Sequence, residues 1–143
     1  MTTLEIVMAW LPAIAELESY SCRVPVQDLH RPAEQRSYGC YGVRLIAYED
    51  ALKVDPALPY LDPEKIMRRL RDEPKFNKRV AKVYLRMLSE RPPLRGDSCA
   101  VLTAYNMGEA GAIRWLNKNG WDMACESPYM LALQKAQARR KRK

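Results

Sequence analysis

The sequence predicts a mainly α-helical protein with one irregular segment after its first helix, and three observations indicate this. Apolar residues recur at helical spacing along most of the 143-residue chain. Capping residues, glycines and prolines mark where the periodic segments begin and end. The periodicity is lost over Ser21–Gly42, where prolines and glycines indicate a loop with room for short strands.

The first helix is predicted at the N-terminus, where Thr2 and Glu5 have the spacing of a capping box. Pro12 either kinks this helix or begins its second part. The apolar stripe of the helix consists of Leu4, Val7, Met8, Leu11, Ile14 and Ala15.

Six further helices are predicted from the same periodicity. They cover Leu45–Leu52, Pro63–Asp72, Phe76–Glu90, a segment capped by Asp97 and ended by Gly108, Ala110–Asn117, and a last helix opened by Ser127-Pro128. No internal repeat is visible, and a chain of this length fits one domain with a core of its own.

The formal net charge of +7 comes from the C-terminal end of the chain. Residues 135–143 hold six of the 24 basic residues and no acidic one, so the rest of the chain is almost neutral. The sequence therefore predicts a domain of residues 1–134 and a basic tail of residues 135–143. Because adjacent cations repel each other, we expect a flexible, solvated tail; contact with a polyanion, such as nucleic acid, an anionic wall polymer or an acidic protein, is the alternative.

No cofactor is expected, and metal chemistry is not indicated, since His30 is the single histidine and lies in the loop, where we expect it at the surface. Disulfides would suit an exported protein and free thiols a cytosolic one, and the sequence does not choose among the three full pairings of the cysteines. These are Cys22, Cys40, Cys99 and Cys125. The N-terminus has no cationic region and its apolar stretch is interrupted, so we expect neither a secretory signal nor a membrane span.

Glu18 is the first candidate for chemistry. Helical spacing places it on the face of Val7, Leu11 and Ile14, whereas Glu16 falls on the polar side. A carboxyl at the end of an apolar stripe is partly desolvated, which raises its pKa toward the range of a general acid. A solvated carboxylate at a helix end is the other interpretation that periodicity allows.

The second candidate is the segment Ala104–Ala112, in which Tyr105 and Asn106 lie at the C-terminal end of a helix and Gly108 turns the chain away. A sugar needs a flat face for stacking and amide or hydroxyl partners for its substituents. Taken alone, the segment also fits a helix C-cap with a core tyrosine.

The segment Ala104–Leu116, AYNMGEAGAIRWL, resembles the signature of the lytic transglycosylases of the soluble-lytic-transglycosylase type, which share a lysozyme-like fold with goose-type lysozyme. Further motifs of that family follow in the expected order. They are Ile14–Ser19, which ends in the Glu-Ser pair, Ser37–Arg44, Leu61–Glu64, Asn77–Leu85 and Pro128–Met130. The resemblance spans about residues 6 to 133.

The resemblance implies cleavage of the glycosidic bond between MurNAc and GlcNAc in peptidoglycan, with Glu18 as the only catalytic residue. It implies that Ser19 supports Glu18, that Tyr105, Asn106 and Tyr129 hold the sugar, and that Ser19 and Gly42 are also among the substrate-binding residues. The family's cleft glutamine falls on Gly42, or on Leu45 in a competing alignment, so a substrate contact is missing or supplied from elsewhere. Glu109 replaces a proline of the family, which we expect to change loop rigidity.

A short cleavage domain with a basic tail fits a bacteriophage protein that acts in the periplasm or cell wall during entry or lysis and resides in the virion or the host cytoplasm before that. Its expected partners are glycan strands and virion or tail proteins. Three alternatives stay open: a hydrolytic muramidase on the same fold, a non-catalytic structural module of a virion, and a nucleic-acid binder. The tryptophans could stack on sugar or pack in the core; they are Trp10, Trp115 and Trp121.

Overall fold

The computed structural model describes residues 1–142, and over these residues the chain is mainly helical, as the sequence predicts. The α-helices are α1 (Thr3–Ala9), α2 (Leu11–Ser19), α3 (Leu45–Val54), α4 (Pro63–Asp72), α5 (Pro74–Glu90), α6 (Ser98–Met107), α7 (Glu109–Asn119) and α8 (Pro128–Lys141). Two 3-10 helices cover Ala33–Gln35 and Trp121–Glu126. Strands β1 (Val26–Gln27) and β2 (Ser37–Tyr38) form an antiparallel pair in which Val26 lies opposite Tyr38.

Local signals in the sequence place the helix ends well. The Oγ of Thr2 accepts a hydrogen bond from the amide of Glu5, whose carboxylate accepts one from the amide of Thr2, so the predicted capping box is present. Pro12 is the second residue of α2 and thus begins a new helix. Asp97 and Ser127 cap α6 and α8 through their side chains, as predicted.

Two compact units make up the described chain, where the sequence predicts one domain. One unit contains Met1–Ala13 and the residues from Leu85 onward, and the other contains Ile14–Tyr84. The boundaries fall inside α2 and α5, where no break in periodicity marks them.

The first unit is built around α6, which contacts α1, α7, α8 and the 3-10 helix Trp121–Glu126. The residues from Ala100 to Ala104 are fully buried, so the first half of α6 is the centre of this core. The disulfide Cys99–Cys125 joins the start of α6 to the 3-10 helix. Inside this core, the hydroxyls of Thr103 and Ser127 lie 2.7 Å apart, which ties the start of α8 to α6.

The second unit packs α3 against α4 and against the 3-10 helix Ala33–Gln35, with β2 next to α4. Tyr48 is fully buried, its hydroxyl donates to the carbonyl of Pro59, and its ring centroid lies 5.8 Å from that of Phe76. Burial raises the pKa of Tyr48, and the positive charges of Arg69 and Arg79 oppose this rise. The disulfide Cys22–Cys40 joins the two arms of the irregular segment.

Residues 135–141 of the basic segment continue helix α8, where the sequence predicts a flexible tail. This helix runs without interruption from Pro128 to Lys141, and Ala136 within it is fully buried. Cations in the last turn of a helix interact favourably with the carbonyl end of the helix dipole, which offsets their mutual repulsion. Lys143 lies outside the described residues.

No helix within residues 1–142 is long and apolar enough to cross a membrane.

Candidate functional site

Glu18 lies in the last turn of α2, half-buried, and its side chain packs against the backbone of Gly42. A methyl group built at Gly42 would lie 2.9 Å from both Cβ and Cδ of Glu18 and closer still to Oε2. Because ordinary van der Waals contact begins at about 3.4 Å, no side chain fits at residue 42 beside this carboxyl. The φ of Gly42 is also positive, at 61°. Glycine at this position is therefore a requirement of the Glu18 environment.

The chain leaves Glu18 through a left-handed turn. Tyr20, Ser21 and Cys22 have φ values of 51°, 57° and 75°, although none of them is glycine. Each such residue costs about 1–2 kcal/mol relative to the right-handed conformation. Strain of this kind persists only where surrounding interactions impose it, and it is often found next to functional groups.

Hydrogen bonds to the end of α2 help to hold this turn. The amide of Tyr20 donates to the carbonyl of Glu16 at 3.0 Å, and the amide of Ser21 donates to that of Ala15 at 3.1 Å. The amides of residues 23 and 24 both donate to the carbonyl of Ser19, at 2.9 and 3.0 Å. The last carbonyls of the helix are thereby satisfied, as in other left-handed helix ends.

Ser19 is fully buried and connects the two arms of the irregular segment. Its Oγ lies 2.8 Å from the carbonyl of Cys40 and 2.9 Å from that of Ala15, and it accepts from the amide of Cys22 at 2.8 Å. The sequence places Ser19 among the substrate-binding residues. That assignment is wrong for a direct contact, because these neighbours are all backbone groups and the side chain has no exposed surface.

Periodicity predicts Glu16 on the polar side of the helix, and this prediction is wrong. Only 2% of Glu16 is exposed, and its Oε2 accepts a hydrogen bond of 2.6 Å from the Oγ of Ser21. The left-handed turn brings the hydroxyl of Ser21 to the Glu16 carboxylate, which simple helical periodicity cannot anticipate.

Asn77 on α5 anchors the turn that leads to Gly42. This fully buried amide donates to the carbonyls of Tyr38 at 2.7 Å and Leu70 at 3.0 Å and accepts from the amide of Tyr41 at 2.9 Å. A Cβ at Gly39 would lie 2.6 Å from Cγ of Asn77, so glycine is needed there too. Burial raises the pKa of the Tyr41 hydroxyl.

The two positions that align with a cleft glutamine in the family that the sequence resembles hold other residues. Gly42 cannot hold a glutamine side chain without displacing Glu18, and Leu45, the alternative, is buried at the first turn of α3. Neither residue offers a side-chain contact to a ligand. Gly42 thus belongs to the packing of the candidate acid, and the sequence prediction of a substrate-binding role for it is not supported by its geometry.

Tyr105 and Asn106 belong to the other unit and lie half-buried in the last turn of α6, after its buried half. Gly108 follows with a φ of 78°, and its amide donates to the carbonyl of Ala104 at 2.8 Å. The helix therefore ends where the sequence predicts, and it leaves both side chains partly accessible.

Glu109 begins α7 and forms an ion pair of 3.1 Å with Arg91. This residue aligns with a proline in the family that the sequence resembles. Its predicted effect on rigidity stays a prediction.

The remaining candidates differ in exposure. Tyr129 is 5% exposed on α8, so little of its surface is available to a ligand in this conformation, and its sugar-binding role stays a prediction. His30 is exposed, as predicted. The three tryptophans are half-buried, and the indole of Trp121 donates to Asn117. Among residues 1–142, no three histidine, cysteine or acidic side chains are grouped to hold a metal ion.

No model of a known family matches the chain, and comparison with curated proteins and with solved structures gives no match either. The family resemblance therefore depends on the ordered motifs alone.

Two contributors to the site are absent from the residues predicted to form it. Asn77 lies in a motif that carries the family resemblance, but its role as a buried anchor is visible only from its three backbone partners. The bond between Cys22 and Cys40 belongs to one of several pairings that the sequence leaves open. The one local signal for both is the density of glycine and cysteine around residues 39–42.

Proposed function

We propose that this protein is a peptidoglycan lytic transglycosylase in which Glu18 is both acid and base. The observation that carries the proposal is the half-buried Glu18 carboxyl, held against the backbone of Gly42 at the start of a strained turn. A partly desolvated, immobilised carboxyl is what proton transfer to a leaving group requires. The ordered sequence motifs supply the substrate class.

In the proposed reaction, protonated Glu18 donates its proton to the glycosidic oxygen while the bond from that oxygen to C1 of the muramyl ring breaks. The resulting carboxylate then accepts the proton of the C6 hydroxyl of the same ring, whose oxygen bonds to C1. The products are a 1,6-anhydromuramyl end and a free hydroxyl on the other sugar. The Glu18 carboxyl is protonated again at the end, so the reaction consumes no water and requires no second carboxylate.

Sugar binding is assigned to Tyr105 and Asn106 by resemblance, and their partial exposure at the end of α6 supports it. An aromatic ring can stack on a pyranose face, and a carboxamide can pair with an acetamido group in both directions. Tyr129 is kept as a third candidate for the same role.

The two disulfides support a place of action outside a reducing cytosol. This agrees with a phage protein that acts on the wall during entry or lysis, with glycan strands and virion or tail proteins as partners.

The decisive experiment compares the wild type with Glu18→Gln on purified sacculi, with Glu90→Gln as control because Glu90 is an exposed carboxylate at the end of α5. We expect Glu18→Gln to lose at least 100-fold in muropeptide release and Glu90→Gln to stay within about twofold. Equal release by wild type and Glu18→Gln would leave a non-catalytic module as the better explanation. Mass spectrometry of the fragments separates anhydro ends from the reducing ends of a muramidase.

A further inference from the structure

We propose that Cys22 and Cys40 are positioning residues for Glu18, so that cleavage requires this one disulfide to be oxidised. The inference rests on the proposed role of Glu18 and adds a condition to it. Of the two disulfides, Cys22–Cys40 controls the candidate acid, and its reduction lowers activity.

The Cys22–Cys40 bond joins the two chain segments that border Glu18. Cys22 is the third residue of the left-handed turn that leaves Glu18, and Cys40 stands two residues before Gly42, whose backbone contacts the Glu18 side chain. The bond therefore links the strained turn that follows Glu18 to the segment whose backbone packs against the Glu18 side chain.

Ser19 makes the same connection by hydrogen bonds. Its Oγ accepts from the amide of Cys22 and donates toward the carbonyl of Cys40, so one buried hydroxyl spans the two residues that the disulfide joins. A covalent and a polar link thus act in parallel on the turn, and the polar one keeps its geometry only while the two backbones stay close.

Burial does not hold this turn in place. Tyr20, Ser21 and Cys22 are all exposed, so little packing energy opposes their return to right-handed conformations. Without the covalent link, the hydrogen bonds alone must oppose the strain of three left-handed residues. We infer that the turn then opens and that Glu18 loses its contact with the backbone of Gly42.

A reductant can reach the disulfide at Cys22. Cys22 is exposed and Cys40 is only 6% exposed, so a dithiol attacks the sulfur of Cys22 and releases Cys40 as a thiolate. The second thiol of the reductant then displaces the Cys22 thiolate. Two electrons pass to the protein, and the reductant leaves as a disulfide. Oxidation by a disulfide reverses both steps.

The chain contains its own control. Cys99–Cys125 lies in the other unit and closes a sequence separation of 26 residues, against 18 for Cys22–Cys40. Loss of either bond should destabilise the protein to a similar extent, because the entropic effect depends only weakly on loop length. Only the loss of Cys22–Cys40 should change the environment of Glu18.

The experiment compares full-length C22S/C40S with C99S/C125S. We expect the kcat on sacculi to fall at least tenfold in C22S/C40S and to stay within twofold of wild type in C99S/C125S, at temperatures where both are folded. A second variant, C22G/C40S, also lacks the bond but relieves the left-handed strain at residue 22, so its kcat should lie above that of C22S/C40S and still below that of wild type. In C99S/C125S, which retains only Cys22–Cys40, dithiothreitol should remove activity and oxidised glutathione should restore it.

A second readout does not depend on cleavage. The carboxyl carbon of Glu18, followed by NMR over a pH titration, should shift its midpoint when Cys22–Cys40 is reduced and keep it in oxidised C99S/C125S. If C22S/C40S and C22G/C40S keep the wild-type kcat and midpoint, the inference is wrong while the proposed function stands. If oxidised wild type and Glu18→Gln are equally inactive, the proposed function fails, and the inferred control of Glu18 cleavage fails with it. In that case the titration midpoint of Glu18 reports only whether the Cys22–Cys40 bond positions its carboxyl.

Discussion

Replacement of Gly42 by alanine tests the geometry of the candidate acid most directly. The new methyl group would lie 2.9 Å from Cβ and Cδ of Glu18, where ordinary contact begins at about 3.4 Å, and nearer still to Oε2. The carboxyl must therefore move by up to about 1 Å, because the closest possible carbon contacts are set by van der Waals radii. We therefore expect the rate to fall about 100-fold, the loss that a misplacement of about 1 Å can cause.

The same substitution also affects stability. Alanine at a φ of 61° costs about 1–2 kcal/mol, which lowers the Tm of a domain of this size by roughly 2–8 °C. Gly96→Ala is a matched control, because Gly96 has a φ of 83° and no atom lies within 4 Å of the position that its new methyl group would take. Both variants should lose stability in urea or thermal denaturation, Gly42→Ala the more because its methyl group also displaces Glu18, and only Gly42→Ala should lose kcat.

Initial rates of muropeptide release, measured below the Tm of both variants and corrected for the folded fraction, separate the two effects. If Gly42→Ala retains more than half of the wild-type kcat, the packing of Glu18 against residue 42 is unimportant for the reaction. If Gly96→Ala loses activity equally, the effect belongs to backbone strain in general and not to Glu18.

Three further substitutions test other parts of the molecule. Asn106→Ala should raise KM about 3–10-fold with little change in Tm, since it removes one or two neutral hydrogen bonds to the sugar from a half-buried position. An unchanged KM contradicts the assignment of Asn106 to sugar binding. Asn77→Ala should lower the free energy of unfolding in urea by about 2–4 kcal/mol, because it removes three hydrogen bonds to backbone groups, of which only the carbonyl of Tyr38 keeps one from the amide of Val43. A loss below about 1 kcal/mol would show that water replaces the Asn77 amide. Tyr48→Phe should flatten the loss of stability above about pH 10. The raised pKa of Tyr48 makes the folded protein hold the hydroxyl proton to higher pH than the unfolded chain, so the wild type loses stability as the pH rises toward the folded-state pKa. If urea titrations from about pH 8 to 11 give wild type and variant the same slope of unfolding free energy against pH, Tyr48 makes no such contribution.

The helix ends could be predicted because their causes are local. A cap such as Asp97 bonds to an amide three residues later, and Pro12 restricts its own φ, so a few neighbouring residues contain the whole interaction. The basic end of α8 is the exception. Charge repulsion predicts a frayed tail, but the burial of Ala136 depends on what α8 packs against, and the sequence does not contain that information locally.

The candidate site was predictable only in part. Periodicity places Glu18 on an apolar face, but the same periodicity misplaces Glu16, which is buried and accepts a hydrogen bond from Ser21 beyond the end of the helix. Ser19 could be recognised as a neighbour of the acid, whereas its bridging of two backbone segments could not.

Local patterns were enough to predict the helical class, the starts and ends of the main helices, and the carboxyl that stands out from its apolar stripe, since each depends on interactions within about one helical turn. The packing of Gly42 on Glu18, the anchoring of the preceding turn by Asn77 and the bond between Cys22 and Cys40 became visible only in the folded chain. These contacts link residues 18 to 39 positions apart in the chain, and such pairs form only once the whole unit has packed.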